Sequence, residues 1–173
     1  SLYNAFQAIV DDGDEVIIPA PYWLTYPEQV IAAGGKPVIV PAGPAQGFKL
    51  TAQQLEAAIT PRTVAFVLNS PSNPTGAVYS EEELRSLGEV LLRHPNVILI
   101  SDDLYEKLVY GSAKFHSLVA MIPALRTRSL IVNGLSKAYS MTGWRLGWMA
   151  GPEPLIQPMS NLQSHSTSNV TTF

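Results

Sequence analysis

Apolar and polar positions alternate along the chain in two distinct periods. Leu2, Ala5, Phe6, Ile9 and Val10 fall at helical spacing over 2–10, and the pattern stops before Asp11-Asp12-Gly13. The run Glu15-Val16-Ile17-Ile18, bounded by Asp14 and Pro19, predicts a buried strand. A helix follows over 26–33, closed by Gly34-Gly35, then a strand over 37–40 and a Pro/Gly-rich loop to Phe48. Thr51 with Gln54 forms a capping box that opens a helix to Ile59, and Ser80 with Glu83 forms a second that opens one to Arg93. Between and beyond them, short apolar runs predict strands over 63–68, 97–100, 129–132 and 145–150. Pro152 stands where a last helix begins, running to Ser164.

Strands that alternate with helices, each strand an unbroken apolar run, specify an α/β fold. The sheet is mainly parallel and is covered on both faces, a three-layer sandwich. In such sheets ligands bind beyond the carboxyl ends of the strands. The residues that follow each strand are therefore expected on one edge: Pro21, Tyr22 and Trp23; Asn69 and the loop to Asn73-Pro74; Asp102 and Tyr105; Gly134, Ser136 and Lys137.

Length and composition narrow the picture without changing it. A chain of 173 residues, 46% hydrophobic and 14% charged, suits one domain with a sizeable core. With a net charge of -3 and no basic block, neither nucleic acid nor a membrane surface is an expected partner. No apolar run is long enough to span a bilayer, and no signal peptide opens the chain. Cysteine is absent, which excludes a disulfide framework or thiolate metal site and fits a cytoplasmic protein. Ser1 leads straight into a helical pattern and Phe173 ends a polar stretch, so the chain is expected to be part of a longer one.

The expected edge carries an indole, a carboxamide, a carboxylate, a phenol, a lysine and an arginine. The three histidines, at 94, 116 and 165, lack metal-ligand spacing. No Ser/His/Asp arrangement and no glycine-rich dinucleotide fingerprint stands out. An amine nucleophile among groups suited to an aromatic phosphate ester fits best.

The segment Gly134-Leu135-Ser136-Lys137-Ala138-Tyr139-Ser140-Met141-Thr142-Gly143-Trp144-Arg145-Leu146-Gly147 resembles the cofactor-attachment signature of the class I aminotransferases, enzymes of pyridoxal 5'-phosphate (PLP). Pro19-Ala20-Pro21-Tyr22-Trp23, Asn69-Ser70-Pro71-Ser72-Asn73-Pro74-Thr75-Gly76 and Ser101-Asp102-Asp103-Leu104-Tyr105-Glu106 support it, in the family's order. The resemblance covers essentially the whole chain and implies most of the large domain of a PLP-dependent transferase. It implies that Lys137 binds the cofactor covalently and then moves a proton, a role that calls for a neutral amine. It implies that Asp102 pairs with the pyridine nitrogen, and that Tyr105 and Asn73 hold the ring 3-oxygen. By the same resemblance Trp23 stacks on the ring, Arg145 binds the phosphate, and Ser136 adds a hydroxyl. Where many relatives carry a further hydroxyl three residues before the lysine, this chain has Gly134, which thins the expected phosphate contacts.

The aspartate aminotransferase-like branch matches best. The implied reaction moves an amino group from aspartate, or a related amino acid, to a 2-oxo acid such as 2-oxoglutarate, in a homodimer. The arginine for the substrate α-carboxylate is expected beyond Phe173. Aromatic or prephenate aminotransferases, C–S lyases and PLP-sensing domains of transcription regulators share nearly all these residues and stay open.

Taken singly, each residue has a plainer reading. Trp23 would be a core aromatic, Asp102 a helix cap, Asn73 a turn residue with Pro74, and Arg145 a surface charge in a strand. Tyr139 and Trp144 read as packing residues, His94 as a solvated helix end, His116 as a loop residue and His165 as structural. The Glu81-Glu82-Glu83 run complements a helix dipole.

Overall fold

Capping chemistry sets several helix starts where the sequence places them. The computed structural model describes residues 1–171, and along them six helices and six strands alternate except where β6 follows β5. These are α1 (Leu2–Ile9), β1 (Glu15–Ala20), α2 (Thr25–Ala32), β2 (Lys36–Pro41), α3 (Ala52–Ala58), β3 (Thr63–Asn69) and α4 (Glu81–Arg93). They continue with β4 (Ile98–Asp102), α5 (Leu118–Met121), β5 (Ser129–Gly134), β6 (Gly147–Ala150) and α6 (Glu153–His165). The Thr51 and Ser80 hydroxyls accept from the backbone N–H groups of Gln54 and Glu83, and both capping boxes are complete. Ser80→Ala is expected to cost about 1 kcal/mol, read as a lower urea midpoint with an unchanged slope.

The sheet order is β2-β1-β3-β4-β5-β6. Neighbours from β2 to β5 pair in parallel, and β6 alone runs antiparallel, with Gly134 opposite Gly147 and Ile131 opposite Ala150. Strand periodicity divides the core into two clusters. Ile17, Phe66, Leu68 and Leu99 join Leu55 of α3, Leu84, Leu87 and Leu91 of α4, and Leu118 of α5. Val16, Ile18, Ala65, Val67, Ile100, Leu130 and Val132 join Phe6 of α1, Val30 of α2 and Met159 of α6. The molecule is the three-layer α/β sandwich that the pattern of strands and helices predicts.

Two boundaries differ from expectation where the site is built. β4 runs on through Asp102, which pairs with Asn69 of β3 and Val132 of β5. Arg145 is outside any strand. It closes a 3-10 turn (Thr142–Trp144) at a left-handed φ of 52°, a conformation that cannot continue a ladder, so β6 begins two residues later. A further 3-10 turn at Pro44–Gln46 lies in the stretch read as loop, and another at Pro123–Arg128, with the short α5, lies where no element was predicted. Tyr139 and Trp144 are exposed among the described residues rather than packed inside.

Candidate active site

Because β1, β3, β4 and β5 run in one direction, their last residues, Ala20, Asn69, Asp102 and Gly134, share an edge. The antiparallel return of β6 brings Arg145 and Leu146 back to that edge, where the Leu146 carbonyl accepts from the Leu135 N–H at 3.1 Å. The strand order reverses between β1 and β3, the position at which open α/β sheets form a ligand crevice.

Asp102 is the centre of the hydrogen bonding. Its side chain is buried, 5% exposed, and its Oδ2 accepts the Tyr26 phenol at 2.6 Å. Its Oδ1 accepts the Leu104 backbone N–H at 3.3 Å, so the local capping role read from sequence is also present. Burial pushes the Asp102 carboxyl upward, and the bonds from Tyr26 and Leu104 oppose it. One strand away, Asn69 Nδ2 donates to the Asp102 carbonyl at 2.9 Å, while Asn69 Oδ1 accepts the Asn73 N–H at 2.8 Å. One carboxamide thus joins the loop after β3 to the end of β4.

Trp23, Ser136 and Arg145 line an open cleft of roughly 950 Å³ together with Leu104 and Gly134. Trp23 meets the Tyr26 ring edge-on, 5.3 Å between centroids at 88°. Lys137 is half-buried, its Nζ 5.9 Å from the centre of the Tyr105 ring. Arg145 is exposed, and its Nη1 donates to the Thr142 carbonyl at 2.9 Å, which folds the guanidinium back on its own turn. Asn73 does not line this cleft. It borders a smaller cavity between the loops after β1 and β3, with Tyr22, Tyr26 and Asn69. The Asn73–Pro74 bond is cis.

Gly134 is required by close approach. A Cβ there would lie 2.9 Å from the Leu146 carbonyl oxygen and 3.2 Å from the Gly147 Cα, so a hydroxyl-bearing residue would push β6 away. Tyr26 is the site residue that sequence reasoning missed, and Asn69, expected on this edge, was given no role there. The signal for Tyr26 was its position three residues after Trp23, at the start of the predicted helix. For Asn69 it was a carboxamide ending an otherwise apolar strand.

Asp103, given no catalytic role from sequence, is also buried, 6% exposed, and accepts the Ser101 hydroxyl at 2.7 Å. Burial pushes its carboxyl up to about 7, against the Ser101 bond, with Asp102 and Glu106 adding to the rise. An unfolded aspartate ionises near about 3.9. Between about pH 4 and 7 the folded state therefore holds more protons than the unfolded one, and stability falls as pH rises. Asp103→Asn keeps an acceptor for Ser101 and is expected to remove roughly 2–3 kcal/mol of that slope. Thermal unfolding from pH 4 to 8 checks it; a wild-type slope in the variant would assign the loss to other groups.

Comparison with known proteins agrees with this architecture. The family model for aminotransferase class I and II matches residues 1–173. An aspartate aminotransferase of Geobacillus stearothermophilus is 55% identical over 173 residues, 100% of this chain and 44% of that protein. An aspartate/prephenate aminotransferase of Cereibacter sphaeroides is 59% identical over 168 residues, 97% of this chain and 42% of that one. The crystal structure of the aspartate aminotransferase from Rhizobium meliloti superposes with a TM-score of 0.96 at 53% identity, covering 98% of this chain and 42% of that one. The chain thus spans less than half the length of these relatives. On the match along all its residues and the shared fold, the chain belongs to the class I and II aminotransferase family.

Proposed function

We propose that the chain forms most of the PLP-binding large domain of an aspartate aminotransferase. In this reading the full-length enzyme moves an amino group from aspartate to a 2-oxo acid such as 2-oxoglutarate. The observation that carries it is the buried Asp102 carboxylate at the sheet edge, one strand from the loop that bears Lys137. A carboxylate offers about four acceptor positions, and Tyr26 and Leu104 occupy two. Capacity therefore remains for the N–H of a protonated pyridine, and the chemistry of the nearby amine, guanidinium, hydroxyl and indole suits the remainder of the cofactor. Two relatives with matches over 97% and 100% of this chain bear aspartate in their names, which supports the donor assignment.

Bound PLP supplies a ring that accepts electron density from the amino acid α-carbon. The residues of this chain then divide the work. Asp102 keeps the ring nitrogen protonated from a site where burial magnifies its charge. Lys137 Nζ holds the cofactor and afterwards takes the proton from the α-carbon. Tyr105 and Asn73 would hold the ring 3-oxygen, Trp23 would cover the ring face, and Arg145 with Ser136 would hold the phosphate, for which a planar guanidinium is suited. Among the described residues no helix is long and apolar enough to cross a membrane, and no group of His, Cys, Asp or Glu is placed to hold a metal. A cytoplasmic homodimer completes the proposal, and light scattering of the full-length protein checks the dimer.

The test is borohydride reduction of the full-length protein with PLP, followed by peptide mapping and an exchange assay with aspartate and 2-oxoglutarate. A pyridoxyl group on Lys137 together with exchange is the expected result. Specific labelling elsewhere, or none, would overturn the proposal.

A further inference from the structure

We propose that Tyr26 is a positioning residue: its buried phenol fixes the orientation and lowers the basicity of Asp102, so that a proton shared with the cofactor nitrogen rests on the nitrogen. This rests on the reading of the site as a PLP site. Tyr26 lies in the first turn of α2 and reaches across 76 residues of chain to Asp102. At 2.6 Å the contact falls in the range of a hydroxyl bonded to an ionised carboxylate. It is the stronger of the two bonds that the described residues give this carboxylate, the other being the 3.3 Å contact from the Leu104 N–H.

The neighbouring acid cannot replace it. Asp103 accepts the Ser101 hydroxyl, and among the described residues its carboxyl makes no hydrogen bond to that of Asp102. The Tyr26 ring is itself immobilised, 2% exposed within the cluster of Phe6, Val16, Ile18 and Val30, with Trp23 set edge-on against it. Burial and the charge of Asp102 push the phenol pKa well above its ordinary value, so it remains a donor at every pH at which an aminotransferase works.

The consequence follows from proton affinity. A buried carboxylate is more basic than one in water, because desolvation disfavours its charge. Next to a pyridine nitrogen, such a carboxylate competes for the single proton between them. Each unit by which its basicity is lowered shifts the distribution tenfold towards the nitrogen. A hydrogen bond donated to the carboxylate from its protein side lowers that basicity without taking the proton's place. Tyr26 is built to do this, since its hydroxyl is aimed at Oδ2 and its ring cannot turn away. Trp23, three residues earlier and edge-on to the Tyr26 ring, lines the cleft wall.

The experiment loads full-length protein with PLP labelled with nitrogen-15 in the ring and reads the ring-nitrogen chemical shift near neutral pH. In the wild type the signal is expected at the protonated-pyridine position. In Tyr26→Phe it is expected to move towards the neutral-pyridine position, corresponding to about a tenfold change in the proton distribution. Tyr26→His, which keeps a ring donor, is expected to restore at least part of the shift. A signal unmoved in Tyr26→Phe would overturn the proposal, as would equal displacement in the Phe and His variants, which would mean packing alone. Should Tyr26→Phe fail to fold, Tyr26→4-aminophenylalanine keeps the ring size with a much weaker donor, and an unmoved signal there overturns the proposal equally. A wild type that takes up no cofactor on Lys137 would instead sink the PLP reading itself, a distinguishable failure.

Discussion

Lys137→Ala is expected to lower the turnover of the full-length enzyme by on the order of 10⁴-fold or more, since it removes the proposed covalent anchor and proton carrier together. The variant should fold. Lys137 is half-buried, follows the end of β5, and makes its 5.9 Å contact with the face of a phenol ring rather than with a core partner. The pairing of Gly134 with Gly147, and of the Leu135 N–H with the Leu146 carbonyl, holds the loop ends through backbone. Its unfolding free energy should stay within about 1 kcal/mol of the wild type. Steady-state exchange with aspartate, beside a urea melt of the same sample, separates the two effects. Added primary amines should restore part of the proton transfer, because they replace the missing base without the anchor. Activity within tenfold of the wild type would place the catalytic amine elsewhere.

Asp102→Asn is the second large effect, with turnover expected to fall by about 10²–10³-fold, the range for removing one preorganised charge from a water-poor site. Shape is conserved and charge is lost. The carboxamide oxygen of the variant would still accept the Tyr26 hydroxyl, while the Leu104 N–H would lose its weaker bond. Stability should move in a different direction from activity. Burial raises the Asp102 pKa in the folded state, so the folded form binds protons that the unfolded form has released, and its ionisation lowers stability as pH rises above the ordinary aspartate range. Replacing it with a neutral amide removes that penalty at neutral pH. A melt unchanged or raised at pH 8, beside a turnover reduced at least a hundredfold, is the expected pair of results. A reduction in activity matched by a collapse in stability would mean that Asp102 serves the fold first.

Much of this arrangement was legible in sequence because its causes are local. The capping boxes at Thr51 and Ser80 fix helix starts within a few residues, and the apolar runs at 15–18, 63–68 and 129–132 fix strands. Parallel direction then places Asn69, Asp102 and Gly134 on one edge without any further information. What escaped depends on contacts between distant segments. The Tyr26–Asp102 bond joins residues on different elements, and no periodicity encodes it. The burial of Asp103 depends on β5, to whose Val132 carbonyl its N–H donates. The left-handed backbone of Arg145 follows from the tight turn that precedes β6, and apolar patterning around Gly147 concealed it. The short α5 has four residues, too few to show a helical period against the surrounding loop.

The sheet order has a consequence for how this segment emerges from the ribosome. After β1 and β2 have paired, β3, β4, β5 and β6 each add at the growing flank in the order of their synthesis. No strand has to be inserted between two that are already paired, and each arrives beside an open ladder made moments earlier. Vectorial synthesis can therefore build the sheet by successive docking at a single growing flank. The loop that carries Lys137, the proposed attachment site, becomes tethered at both ends only when β6 is made, on a platform of five strands already assembled.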